Sequence, residues 1–124
     1  MSARLIAIII TGMFITACGG SSSPSAPSGS TPAPAGSTTV TVPAGASGLT
    51  TTAYAPNPLT VSTGTTVSWL NNDNTTHTST SDGNAWSSGD IAPGGRFNFT
   101  FTSSGRFTYH CTLHPNMVGT IVVQ

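Results

Sequence analysis

Charge is what this chain has least of. Only 5% of its 124 residues are charged, 3 Lys+Arg against 3 Asp+Glu, and every acidic residue is an aspartate. A nucleic-acid surface needs clustered cations, so that class of partner is excluded. General acid–base catalysis needs an acid and a base set side by side; Asp73, Asp82 and Asp90 are scattered, and no nucleophile–base pair or phosphate loop accompanies them, so no enzyme is expected. Cysteine is scarce as well. Two residues, Cys18 and Cys111, cannot form the disulfide framework of a small secreted scaffold. Long apolar runs are missing: the longest mainly apolar stretch, Leu5 to Ile15, is too short to cross a bilayer.

Hydroxyls supply the polarity that charge does not. Ser and Thr make up 39 residues, and Thr, a β-former, is the larger share, which favours strands over helices. No internal repeat, coiled coil or helix of useful length is evident.

The chain divides into three parts. Residues 1–17 read as a signal peptide, with Arg4 ahead of the apolar run. The stretch Ile15-Thr16-Ala17-Cys18-Gly19 resembles a bacterial lipobox, in which cleavage precedes the cysteine and the cysteine is acylated; the alternative is ordinary cleavage after small residues with Cys18 incidental. Several acyl chains on Cys18 anchor a protein stably where one does not. The expected location is therefore the bacterial cell envelope, on its periplasmic or extracytoplasmic face. Gly19 is not the aspartate that retains lipoproteins in many inner membranes, which is compatible with the outer membrane. Residues 18–37 form a linker that after Cys18 contains only Gly, Ser, Pro, Ala and Thr, a composition that cannot bury apolar area. As a flexible coil it would span roughly 25 Å, and as polyproline II at most about 60 Å.

Residues 38–124 carry the β pattern. Val40 and Val42 alternate before a break at Pro43-Ala44-Gly45, and Pro56-Asn57-Pro58 marks a turn before Leu59-Thr60-Val61. Val67 and Trp69 share the inner face of the next strand, Phe97, Phe99 and Phe101 one face of a later one, and Trp86 is expected to fold back over the core. Seven to eight short strands with these turn signals make an all-β Greek-key β-sandwich.

Near the C-terminal end stands Tyr109-His110-Cys111-Thr112-Leu113-His114-Pro115-Asn116-Met117. It places a thiolate, an imidazole and a thioether at three-residue intervals, donors that suit copper in both of its oxidation states. Alternation puts Phe107, Tyr109 and Cys111 on one face and Thr108 and His110 on the other, so Cys111 ends one strand, Met117 begins the next, and His110 points away from the donors. A second imidazole must come from elsewhere, and His77 is the only histidine outside the loop. Taken singly, Cys111 reads as a small buried hydrophobe, Met117 as core and His77 as a surface histidine. Jointly, in this order, they read as a metal site.

These residues carry a specific resemblance. Cys111-x-x-His114-x-x-Met117, with Tyr109-His110-Cys111-Thr112 and His114-Pro115, resembles the compact ligand loop of a cupredoxin of the plastocyanin and amicyanin kind. The resemblance runs over roughly Val40 to Gln124 and takes in Val67-x-Trp69-x-Asn71-x-Asp73-x-x-x-His77, Ser88-Gly89 and Pro93-Gly94; Leu113 stands where a proline is expected. It implies one type 1 copper ion, held by His77, Cys111 and His114 as strong ligands and by Met117 as the weak axial one. It also implies an electron carrier between redox protein partners, expected as a monomer, with His114 as the electron port in an apolar patch of Leu113, Pro115 and Pro58. Thr78 follows the first ligand, where many relatives have an asparagine that ties the two ligand loops together. Two other readings stand beside this one: copper storage or delivery in the envelope, and a structural module with an unused site. With Met1 and Met13 lost with the signal, no spare methionine favours storage.

Overall fold

The computed structural model describes residues 38–124. The signal segment 1–17, Cys18 and the linker to residue 37 lie outside the described residues. Seven strands form: β1 (Thr39–Val42), β2 (Leu59–Val61), β3 (Thr66–Asn71), β4 (Thr80–Ser81), β5 (Arg96–Thr100), β6 (Gly105–His110) and β7 (Val118–Val123), with one turn of 3₁₀ helix at Ala46–Gly48. They build two sheets, β1-β3-β5 and β2-β7-β6-β4. The all-β sandwich expected from the alternating pattern is the architecture observed.

Alternation decides which face each strand buries. In β1 and β3, Val40, Val42, Val67 and Trp69 turn inward, and in β6 and β7 Tyr109, Ile121 and Val123 meet them from the other sheet. Each fully buried aliphatic or Phe side chain contributes about 1.5–3 kcal/mol. The centre of the sandwich is aromatic: the rings of Trp69 and Tyr109 cross the gap edge to face with centroids 5.6 Å apart, and Trp86 packs 5.5 Å from Trp69. The Trp86 indole N–H donates to Ser79 Oγ at 2.9 Å, which lets a loop tryptophan sink into the core.

Three pairings place the metal loop. β1 runs parallel to β3, β3 antiparallel to β5, and β6 antiparallel to β7 with Tyr109 opposite Gly119. β3 and β6 therefore climb towards the same end of the sandwich, where β3 delivers Asn71 and β6 delivers Cys111. β1 starts and β7 finishes at the opposite end. The phenol of Tyr109 lies across Gly119, where a Cβ would overlap the ring, so this strand position admits only glycine.

Two details differ from the alternation argument. β6 and β7 stop one residue short of Cys111 and Met117, which are joined instead by a single hydrogen bond from the Cys111 N–H to the Met117 carbonyl, 3.1 Å. Nor does a continuous strand begin at His77: it forms only an isolated bridge with Ile91, and β4 follows at Thr80–Ser81. The cause is local: the N–H groups of Thr78 and Ser79 are taken by side chains, Cys111 Sγ and Ser88 Oγ, and are lost to a ladder.

Candidate metal centre

Two loops meet at the top of the sandwich. One descends from β3 through Asn71 and Asp73 to His77; the other joins β6 to β7. The second is closed on itself by the bond from Cys111 to Met117 and by the Met117 N–H, which donates to the His114 carbonyl at 2.9 Å. That closure turns His114 back over Cys111.

The result is a group of three donors. His77, Cys111 and His114 each offer one ligand atom, and these atoms lie within 4.8 Å of one another. Cys111 Sγ is 3.9 Å from His77 Nδ1 and 3.7 Å from His114 Nδ1. First-row metal bonds of about 2.0 Å to nitrogen and 2.3 Å to thiolate, meeting at roughly 120°, separate the donors by about 3.8 Å. Both sulfur–nitrogen distances match that spacing. His77 and Cys111 are wholly buried and His114 is half-buried. Met117 is wholly buried beneath the same loop. His110 stays out of the group: it lies on the outer face, with Nδ1 2.6 Å from Asp82 Oδ1.

The surroundings fix the donors in place. The Thr78 N–H donates to Cys111 Sγ at 3.3 Å, and the Thr78 hydroxyl accepts the Thr112 N–H at 2.8 Å, so the residue after one candidate ligand is tied to the residue after another. Tyr54 donates its buried hydroxyl to the Thr78 carbonyl, and burial pushes that phenol above its ordinary pKa. Behind His77 stands a carboxylate that the sequence reading passed over. His77 Nε2 lies 2.9 Å from Asp73 Oδ2, and the other Asp73 oxygen accepts the N–H groups of Gly45 and Asn74 at 3.0 and 2.8 Å. The hydrogen bond from His77, then that from Gly45, hold the Asp73 carboxyl down at about 2. Gly45, at φ +76°, sits in the left-handed conformation that glycine adopts freely, which aims its N–H at Asp73. Asn71 completes the loop, accepting the Asp73 N–H at 2.9 Å and donating to the carbonyls of Thr75 and Ile91. One signal for Asp73 was available: it is an aspartate four residues before a candidate ligand in a chain that has three acids.

Comparison with known proteins gives one consistent neighbourhood. A family model described as the cupredoxin-like domain matches residues 8–123. Among solved structures, the chain is similar to a purple cupredoxin from Nitrosopumilus maritimus, at 32% identity over 69% of this chain and 98% of that one, with a TM-score of 0.65. It is also similar to an amicyanin variant in its Cu(I) form, at 33% identity over 57% of this chain and 72% of that one, TM-score 0.54. A third neighbour is an oxidised amicyanin variant, at 26% identity over 69% and 80% of the two chains, TM-score 0.60.

Proposed function

Since this chain belongs to the cupredoxin-like family, we propose that it is an envelope-anchored type 1 copper protein that carries single electrons between redox partners. The observation that carries this reading is the group of Cys111 Sγ with the Nδ1 atoms of His77 and His114, at 3.9 and 3.7 Å respectively. One soft thiolate and two imidazoles are the donor set of a blue-copper centre rather than of a hard-cation site. His77, Cys111 and His114 would hold one copper ion in this reading, with the Met117 thioether as a further, weaker donor. Copper bound there takes up and gives back one electron.

The protein contributes rigidity and an outlet. The N–H of Thr78 fixes the thiolate, and the closed loop fixes His114, so neither donor has to move when the charge changes. His114 is the donor nearest solvent, flanked by Leu113, which is 50% exposed, and by exposed Pro115. The Asn57 amide donates to the Val118 carbonyl at 3.1 Å and brings exposed Pro58 beside the base of the loop. An apolar, uncharged surface around His114 suits partners that dock by apolar contact rather than by charge steering. Anchoring through Cys18 would keep the domain at a membrane, where it meets such partners repeatedly.

A visible titration tests the reading. Cupric ion should raise an intense blue or purple thiolate band that bleaches with ascorbate and returns on reoxidation. Tight copper binding without that band would replace electron carriage by storage or delivery, and no copper binding at all would remove the metal assignment. Retention of the chain in membranes, lost in Cys18→Ala, tests the anchor separately.

A further inference from the structure

The only buried carboxylate among the described residues sits directly behind one of the proposed ligands. Asp73 and His77 have side chains 3% and 0% exposed. Two ion pairs occur among the described residues, His77–Asp73 and His110–Asp82, and neither includes an arginine. N–H groups of His77, Gly45 and Asn74 meet that negative charge, and no Lys or Arg among the described residues pairs with it. A cation on the far side of the same ring would be its nearest opposite charge.

The hydrogen bonds favour one arrangement. Oδ1 of Asp73 accepts two backbone N–H groups, which stabilises the ionised carboxylate, and an ionised Oδ2 is satisfied when His77 Nε2 donates to it. Nε2 therefore carries the proton, and Nδ1 presents its lone pair towards Cys111 Sγ 3.9 Å away. The Asn71 side chain accepts the Asp73 backbone N–H and so fixes the main chain that carries the carboxylate.

We propose that Asp73 is a positioning residue that selects the Nε2–H tautomer of His77 and, by its fixed negative charge, favours the cupric over the cuprous state of the site. This rests on the copper reading above. With the charges counted, a thiolate and a second anion offset both charges of the cupric ion, whereas the cuprous state is left with one negative charge in excess. The added electron comes from the redox partner; no bond breaks and no proton moves, because His77 Nε2–H and ionised Asp73 persist in both states. Asp73 thereby lowers the reduction potential of the centre and tightens cupric binding.

Asp73→Asn removes the charge, and its single oxygen serves either Nε2 or the N–H groups of Gly45 and Asn74, not both. At fixed solution potential, the cuprous to cupric ratio should rise about ten-fold, equivalent to about 59 mV for one electron. Cupric affinity should fall about 10- to 100-fold. A ratio within two-fold of the unaltered protein overturns the electrostatic half of the proposal. The positioning half is read without copper, from the ¹⁵N shifts of the His77 ring in the metal-free, otherwise unaltered chain. Protonated Nε2 with bare Nδ1 is expected; a protonated Nδ1 overturns it, whether or not any variant folds. If the unaltered protein binds no copper, the carrier reading fails and the electrostatic half with it, while the ring shifts still decide the tautomer.

Discussion

The hydroxyl of Thr78 accepts the backbone N–H of Thr112 at 2.8 Å, joining the two loops that carry His77 and Cys111. The threonine makes the link with one oxygen, which also lies 3.1 Å from the Thr112 hydroxyl. Thr78→Val keeps the shape and removes the acceptor, leaving the Thr112 N–H unpaired at a cost of about 1–3 kcal/mol. Thermal unfolding of the metal-free chain should then fall by roughly 4–8 °C for each kcal/mol, with Thr78→Ser close to the unaltered protein. Equal midpoints for the valine and serine variants would show that the link contributes nothing.

Gly119 is fixed by its neighbour rather than by its backbone. Because a Cβ would enter the Tyr109 ring, Gly119→Ala must displace a phenol packed against both Trp69 and Tyr54. Overpacking of this kind costs about 1–3 kcal/mol. Denaturant unfolding should show a lower midpoint at unchanged slope, and adding Tyr109→Phe to Gly119→Ala should recover only part of the loss, because ring carbons lie as close to the added Cβ as the hydroxyl does.

The exposed Leu113 tests the proposed outlet. Leu113→Glu should leave the thiolate band of the loaded protein intact, since Leu113 is exposed and is not one of the proposed donors. Electron self-exchange between two copies, which would bring two such patches face to face, should slow by about ten-fold or more, the equivalent of ~1.4 kcal/mol. Added salt should recover part of the loss in the variant and change little in the unaltered protein. An unchanged self-exchange rate would move the outlet elsewhere.

Acid sensitivity is expected on the outer face of β4 and β6. A hydrogen bond from Thr108, then one from His110, lowers the Asp82 carboxyl below its ordinary 3.8. A depressed carboxylate contributes stability that is fully present above the unfolded value and disappears as pH falls through the folded one. The Asp82 side chain is 48% exposed, so the contribution is that of a surface pair, about 0.2–1 kcal/mol. Asp82→Asn should be less stable by that amount at pH 6, and urea melts of the two proteins should converge as pH drops below about 3.8.

Much of this molecule can be read from its residues because the signals are local. Val67 and Trp69, or Ile121 and Val123, announce a strand and its buried face within three positions, and Cys111, His114 and Met117 fall within one seven-residue window. His77 is 34 residues from Cys111 and is legible only because the chain holds 3 histidines. The parallel pairings of β1 with β3 and β2 with β7 leave no local trace, since they depend on how whole sheets assemble. Asp73 was missed for a related reason. Its role depends on Gly45, which reaches it from the turn after β1, 28 residues away, and no spacing rule encodes that approach.

The direction of β1 and β7 has a practical side. Thr38 leads into the sandwich, and Gln124 leaves it, at the end away from His114, with Gln124 held there by hydrogen bonds to Val61 and Thr63. A strand of six residues spans roughly 20 Å, so a handle placed ahead of Thr38 or after Gln124 is about that far from the proposed outlet. Fixing the protein to a conducting surface through either handle would turn His114 outward to solution, whereas a cysteine introduced at Leu113 would turn it inward. Comparing currents from the two attachments would give the orientation dependence of electron exchange on one and the same domain.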